Sequence, residues 1–191
     1  MTKTISIMIS MLALSLGSTV CFSDDDDDAI TKAEVYEAQR IWGEGIVAIG
    51  DAYTNGGDYK ALAADHVATL YAYDQDTVLF KPTKAAEQQF RLNELDAVSY
   101  FVTGVVAEDK GFALQTWSAV RFENADIIID SDSAVAMGNY FFTDANTGEE
   151  VKVEFTFGYV RDKDGDDDDD DEEGGALLIN LHHSALPYNP K

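Results

Sequence analysis

Apolar residues recur at Val35, Ala38, Trp42, Ile46, Ile49 and Tyr53. Steps of three and four put them on one face of a long amphipathic helix. The preceding TKAE (Thr31–Glu34) has capping-box spacing, a hydroxyl followed three residues later by a carboxylate. NGG (Asn55–Gly57) ends the helix, and a second is predicted from Asp58 to about Thr69. LYAYDQDTVLFKPT (Leu70–Thr83) reads as a hairpin, two short β-rich runs around Asp74–Asp76 closed by Pro82. Lys84–Phe101 is helix-prone, with a break near Asn93.

After Gly111 the period changes to two. The alternation predicts strands over Phe112–Phe122, Ser133–Phe142, Val151–Arg161 and Ala176–Ser184. The third is the clearest: Val151, Val153, Phe155, Phe157 and Tyr159 alternate with Lys152, Glu154, Thr156 and Gly158. DANTG (Asp144–Gly148) supplies turn chemistry between two of the strands. Helices followed by a run of antiparallel strands give an α+β class, with the helices packed on one face of a curved antiparallel sheet. No internal repeat is visible.

Composition refines this picture. The 191 residues suit one domain, and a hydrophobic fraction of 46% supports a core. The formal charge is −23, of which Asp24–Asp28 gives −5 and Asp166–Glu173 gives −8, leaving −10 elsewhere. Such a surface repels phosphate backbones and disfavours nucleic-acid binding. Lys3 followed by ISIMISMLALSL (Ile5–Leu16) has the form of a secretory signal, with an apolar run too short to span a bilayer. Cys21 and Ser23 suit a cut after Ser23, while Val20 is too large for the lipoprotein pattern. The expected organisation is a signal peptide over 1–23 and a disordered acidic lead-in over 24–30. A single α+β domain follows over 31–191, with an acidic loop insertion at 162–175. A secreted or periplasmic location follows from the signal, with no membrane attachment after cleavage. The cut removes the only cysteine, so thiol nucleophiles and cysteine-ligated zinc are excluded. Fitting an EF-hand template to the loop with Gly165 as its glycine puts the first ligand position on Val160, so the loop reads as a solvated connection.

LINLHHSALPY (Leu178–Tyr188) holds two of the three histidines. By alternation, Leu177, Ile179, Leu181, His183 and Ala185 form one face, which looks like core. Leu178, Asn180, His182 and Ser184 form the other. Adjacent histidines on a strand point opposite ways and do not share an ion easily, and the third, His66, lies in the second predicted helix. Acid–base chemistry suits the pair better, because imidazole titrates near neutrality and Ser184 shares a face with His182. A structural histidine pair at a strand end remains the plain alternative.

LYAYD (Leu70–Asp74), LFKPT (Leu79–Thr83), FR (Phe90–Arg91), SYF (Ser99–Phe101), EDKGFA (Glu108–Ala113), VRFEN (Val120–Asn124), AMGNYFF (Ala136–Phe142), EFTFGYVR (Glu154–Arg161) and HHSALPY (His182–Tyr188) occur together and in order. With them the chain resembles the iota-class carbonic anhydrases, which share a fold with the association domain of calmodulin-dependent protein kinase II and the SnoaL-like group. The resemblance implies a cone-shaped α+β barrel and reversible hydration of carbon dioxide to bicarbonate, with no metal or other cofactor. It also implies a homodimer and a site of Thr83, Tyr100 and one histidine and one serine of the terminal motif, for which strand phase points to His182 and Ser184, with His183 as the alternative histidine. The hydroxyls of Thr83, Tyr100 and Ser184 would bind the substrate, and His182 would take or relay a proton. The family has a second serine where Ala185 stands. Plain structural readings exist too: Thr83 as the cap of a helix starting at Lys84, and Tyr100 as a core residue. The competing functional reading is a non-catalytic oligomerisation or ligand-binding module. His182→Ala is expected to slow hydration and His183→Ala mainly to affect stability.

Overall fold

The computed structural model describes residues 29–163 and 176–190. The signal, Asp24–Asp28 and the Asp166–Asp171 run lie outside the described residues. Helix α1 (Lys32–Thr54) starts with the expected capping box: the Thr31 hydroxyl accepts from the Glu34 amide, and the Glu34 carboxylate accepts from the Thr31 amide at 2.6 Å. Val35, Trp42, Ile46 and Ile49 are buried along it, but Tyr53 is exposed. Gln39 takes a buried position the apolar pattern did not mark, exchanging two amide hydrogen bonds with Asn124 at 2.7 and 2.8 Å. At Gly50 an added Cβ would lie 2.8 Å from the Ala113 carbonyl oxygen, so glycine lets the helix approach the backbone there. Helix α2 (Tyr59–Leu70) follows, capped by Asp58.

The expected hairpin over Leu70–Thr83 is absent. Tyr71 makes one parallel bridge to Ile179, and β1 (Leu79–Lys81) pairs in parallel with β5 (Leu177–Ala185), a strand about one hundred residues away in sequence. The expected helix over Lys84–Phe101 is shortened to α3 (Glu94–Val102), capped by Asn93 at the predicted break. The missing part has a physical cause. The Glu108 carboxylate accepts the amides of Ala86, Glu87 and Gln88 at 2.8–3.1 Å and folds that segment around itself. Phe112–Gln115 form a short 3₁₀ turn, and the strand predicted from Phe112 begins instead at Trp117, as β2 (Trp117–Ile129).

β3 (Ser133–Asp144) and β4 (Glu150–Arg161) complete an open five-stranded sheet of order β1-β5-β4-β3-β2. Every pairing is antiparallel except β1 with β5. Helix α1 packs across β2, and α2 and α3 pack against each other, so the helices cover one face of the sheet. Among the described residues the chain is therefore α+β as expected, with a parallel edge strand and no closure into a barrel.

The register of β5 decides which residues face the helices. Tyr159 pairs with Ile179, whereas Gly158 pairs with Leu181, leaving Asn180 as an extra residue in a bulge. An added Cβ at Gly158 would lie 2.8 Å from the Asn180 side chain, so glycine makes room for the bulge. The bulge reverses the alternation. Paired residues share a face, so Ile179 points inward with Tyr159, and His182 and Ser184 point inward with Phe157 and Phe155. Leu181 and His183 turn outward, which corrects their predicted place on a core face. Ala185 pairs with Glu154, away from Ser184, so the missing second serine falls on the outer face.

Candidate functional site

Thr83 and Ser184 meet on the inner face. Their hydroxyl oxygens are 2.8 Å apart, joining the segment after β1 to the end of β5. The Lys81 ammonium donates to the Ser184 carbonyl oxygen at 3.1 Å and closes the same junction. No helix starts at Lys84, so Thr83 is not a helix cap. The parallel pairing of β1 with β5 brings the two hydroxyls together from 101 residues apart.

His182 is 2% exposed. Phe80 stacks on its ring at 4.5 Å, Phe157 meets it edge-on at 4.1 Å, and Trp42 lies 5.5 Å away. The Tyr71 hydroxyl is 2.8 Å from its Nδ1 and the Tyr140 hydroxyl a longer 3.5 Å from its Nε2. Burial pushes its pKa well below the ordinary histidine value, and the nearby His183 and His66 act in the same direction. His182 is therefore neutral at physiological pH. This differs from the near-neutral titration expected of a free imidazole, and the cause is burial among aromatic rings. His183 is exposed on the outer face and is separated from the hydroxyl pair.

Tyr140 extends the cluster. Burial raises its pKa, more than the Ser184 and Thr83 hydroxyls lower it, so it remains a phenol beside them. Burial likewise raises the pKa of Tyr100. The Tyr100 hydroxyl is buried without a hydrogen bond of good geometry among the described residues, although the Lys84 amide and Thr83 hydroxyl lie near enough to favour its ionised form. A buried donor without a partner is costly in a structural residue and useful in a binding one. It borders a cavity of about 290 Å³ lined also by Lys84, Glu108, Asp109, Lys110 and Phe112. A water occupies roughly 30 Å³ in the liquid, so this cavity has room for a small substrate with several waters. A larger recess, about 410 Å³ between α1 and β2, touches none of the hydroxyl cluster.

The cavity wall is braced by Arg91, which is fully buried. Its guanidinium donates to Asp109 at 2.7 Å and to the Gln88 carbonyl oxygen, and its backbone amide donates to the Phe80 carbonyl oxygen at 2.8 Å. Glu108 stands 3.7 Å from the same guanidinium. The amides of Glu87 and Ala86 hold its carboxyl down at about 2, with Gln88 and Arg91 adding to them. The FR and EDKGFA motifs are thus one scaffold beneath the cavity.

The structure brings Thr83, Ser184, His182 and Tyr100 to one region and leaves His183 outside it. Sequence reasoning missed Tyr71, Tyr140 and Trp42, which read as ordinary apolar positions. Among the described residues no group of three or more histidine, cysteine, aspartate or glutamate side chains is placed to hold a metal ion.

Comparison with known proteins identifies the family. Residues 33–186 match the family model described as metal-independent carbonic anhydrase. A metal-independent carbonic anhydrase of Nostoc sp. is 41% identical over 165 residues, covering 84% of this chain and 75% of the relative. The crystal structure of a cyanobacterial iota-carbonic anhydrase complexed with bicarbonate superposes with a TM-score of 0.76 at 40% identity, covering 85% of this chain and 95% of that one. The chain belongs to the metal-independent, iota-class carbonic anhydrase family.

Proposed function

We infer that this protein interconverts carbon dioxide and bicarbonate, CO₂ + H₂O ⇌ HCO₃⁻ + H⁺, at the hydroxyl cluster beside the Tyr100 cavity. The observation that carries the reading is the convergence of Thr83, Ser184 and an unpartnered Tyr100 hydroxyl near the neutral His182. It occurs in a chain whose 40% identical relative was crystallised with bicarbonate.

Carbon dioxide is small and apolar, so the aromatic wall admits it. A water held by the hydroxyls attacks its carbon. The new C–O bond forms as an electron pair moves onto a carbon dioxide oxygen, and the water's proton leaves through the hydroxyls to solvent at the cavity mouth. Negative charge develops where Thr83, Ser184 and Tyr100 are able to donate, in a site drier than bulk water. Raised pKa values keep Tyr100 and Tyr140 protonated and able to donate at neutral pH. No metal lowers the pKa of the attacking water, so the rate rests on positioning and on these donors.

The direct test is the rate of carbon dioxide hydration by purified protein, measured with and without a chelator. A rate well above buffer that survives chelation is expected. A buffer-level rate would overturn the activity, and loss on chelation would overturn the metal-free mechanism.

Two further features belong to this reading. Met1–Ser23 acts as a cleaved signal that delivers the protein to the periplasm or the exterior. The mass of protein from expressing cells tests this, with Asp24 expected as the first residue. The protein assembles as a homodimer through the outer face of its sheet. Support comes from an apolar groove of about 380 Å³ on that face, lined by Leu79, Phe90, Leu92 and Leu181. Light scattering should give twice the chain mass, and a monomer mass would refute it.

A further inference from the structure

Behind His182 lies a chain of hydrogen bonds whose direction is fixed by elementary donor chemistry. The Trp42 indole N–H is 2.9 Å from the Tyr71 hydroxyl oxygen. An indole nitrogen only donates, so the Tyr71 oxygen accepts. Tyr71 has one hydroxyl hydrogen, and besides Trp42 the hydroxyl has one neighbour within hydrogen-bond distance among the described residues, His182 Nδ1 at 2.8 Å. Tyr71 is fully buried, so a hydroxyl hydrogen left without an acceptor is costly. If Nδ1 carried a hydrogen, the Tyr71 oxygen would accept twice and its own hydrogen would have no acceptor. Nδ1 must therefore be bare. A neutral imidazole then carries its hydrogen on Nε2, which faces the Tyr140 hydroxyl at 3.5 Å. Beyond Tyr140 lie the paired hydroxyls of Thr83 and Ser184.

We propose that Tyr71, oriented by Trp42, is a positioning residue. It fixes His182 as the Nε2–H tautomer, so that the imidazole donates towards Tyr140 and the hydroxyl cluster instead of accepting a proton from it. The inference deepens the carbonic anhydrase reading and rests on it for its catalytic meaning, though not for its structural content. Each member passes a hydrogen in one direction: Trp42 to Tyr71, Tyr71 to His182, His182 to Tyr140. Tyr140, already an acceptor from the imidazole, is left free to donate into the cluster. Chains of aligned hydrogen bonds polarise one another, so the terminal hydroxyls become better donors to a developing anion. The same arrangement resists imidazolium, because a proton on Nδ1 would face the Tyr71 hydroxyl hydrogen.

The test is nitrogen-detected NMR of the histidine rings in ¹⁵N-labelled full-length protein, with His182 assigned by its loss in His182→Gln. Wild-type protein at neutral pH is expected to show a bare Nδ1 and a protonated Nε2. Tyr71→Phe removes only the hydroxyl. It is expected to shift His182 towards a tautomer mixture and to lower kcat about tenfold, with KM little changed, since one orienting hydrogen bond is lost. A wild-type Nδ1–H signal overturns the proposal without any variant, so a failure of Tyr71→Phe to fold does not shelter it. An unaltered tautomer in folded Tyr71→Phe also overturns it. If the wild type shows the Nε2–H form but no carbon dioxide hydration, the tautomer assignment stands and the activity reading fails.

Discussion

His66 makes the fold sensitive to acid well above the carboxylate range. It sits on α2 with its ring 6.0 Å from Trp42 and 5.8 Å from Phe101, and its Nε2 is buried without a partner among the described residues. An added Cβ at Gly45 would lie 2.2 Å from its Nδ1, so the ring fits tightly against α1. Burial lowers its pKa to about 4. In an unfolded chain imidazole titrates near 6.5. The folded pKa is the lower one, so the unfolded state takes up the proton first, and stability present above about pH 6.5 is lost as pH falls towards 4. Linkage converts the difference into a loss of about 2 kcal/mol at pH 5 and about 3 kcal/mol at pH 4. His182 is shifted in the same direction and adds to the loss. Urea unfolding at pH 7.5, 6, 5 and 4, for wild type and His66→Leu, isolates the effect, because the carboxylates are common to both proteins. Between pH 7.5 and 5 the wild type should lose about 2 kcal/mol relative to the variant. Parallel curves would refute the claim that His66 is buried and neutral.

Arg91→Ala should destabilise the protein by about 3–5 kcal/mol in urea unfolding, because it leaves Asp109 buried with an unpaired charge. A cost below about 1 kcal/mol would mean that Asp109 reaches water. His183→Ala should leave hydration unchanged, since the ring lies on the outer face away from the hydroxyl pair. A large loss of activity in that variant would place the β5 register one residue from where it stands.

Local and periodic features were legible in the sequence. The capping box and heptad-like spacing marked α1, and the alternation marked β3 and β4 nearly to their ends. Non-local pairing was not legible: nothing within Leu79–Lys81 says that it will lie parallel to β5. The bulge at Asn180 defeated the phase reading of Leu181 and His183, although a glycine opposite it, Gly158, is the kind of residue that marks such a site. His182 and Ser184 shared a face as expected because both lie beyond the bulge. Tyr71 and Tyr140 escaped notice because a tyrosine in an apolar pattern packs like phenylalanine, and its hydroxyl matters only once a partner is in place. The lowered pKa of His182 was hidden for a related reason, since an intrinsic pKa is visible in sequence and burial is not.

The central claim is that paired hydroxyls, with no metal, carry the hydration of carbon dioxide. Ser184→Ala removes one partner of the 2.8 Å Thr83–Ser184 pair without touching the aromatic wall. Stopped-flow hydration rates for this variant and the wild type, both in chelator, test the claim most directly. The account predicts a wild-type rate well above buffer and a fall of about 10²–10³-fold in the variant, the usual effect of deleting one donor to a developing oxyanion. An undiminished rate in folded Ser184→Ala would contradict it.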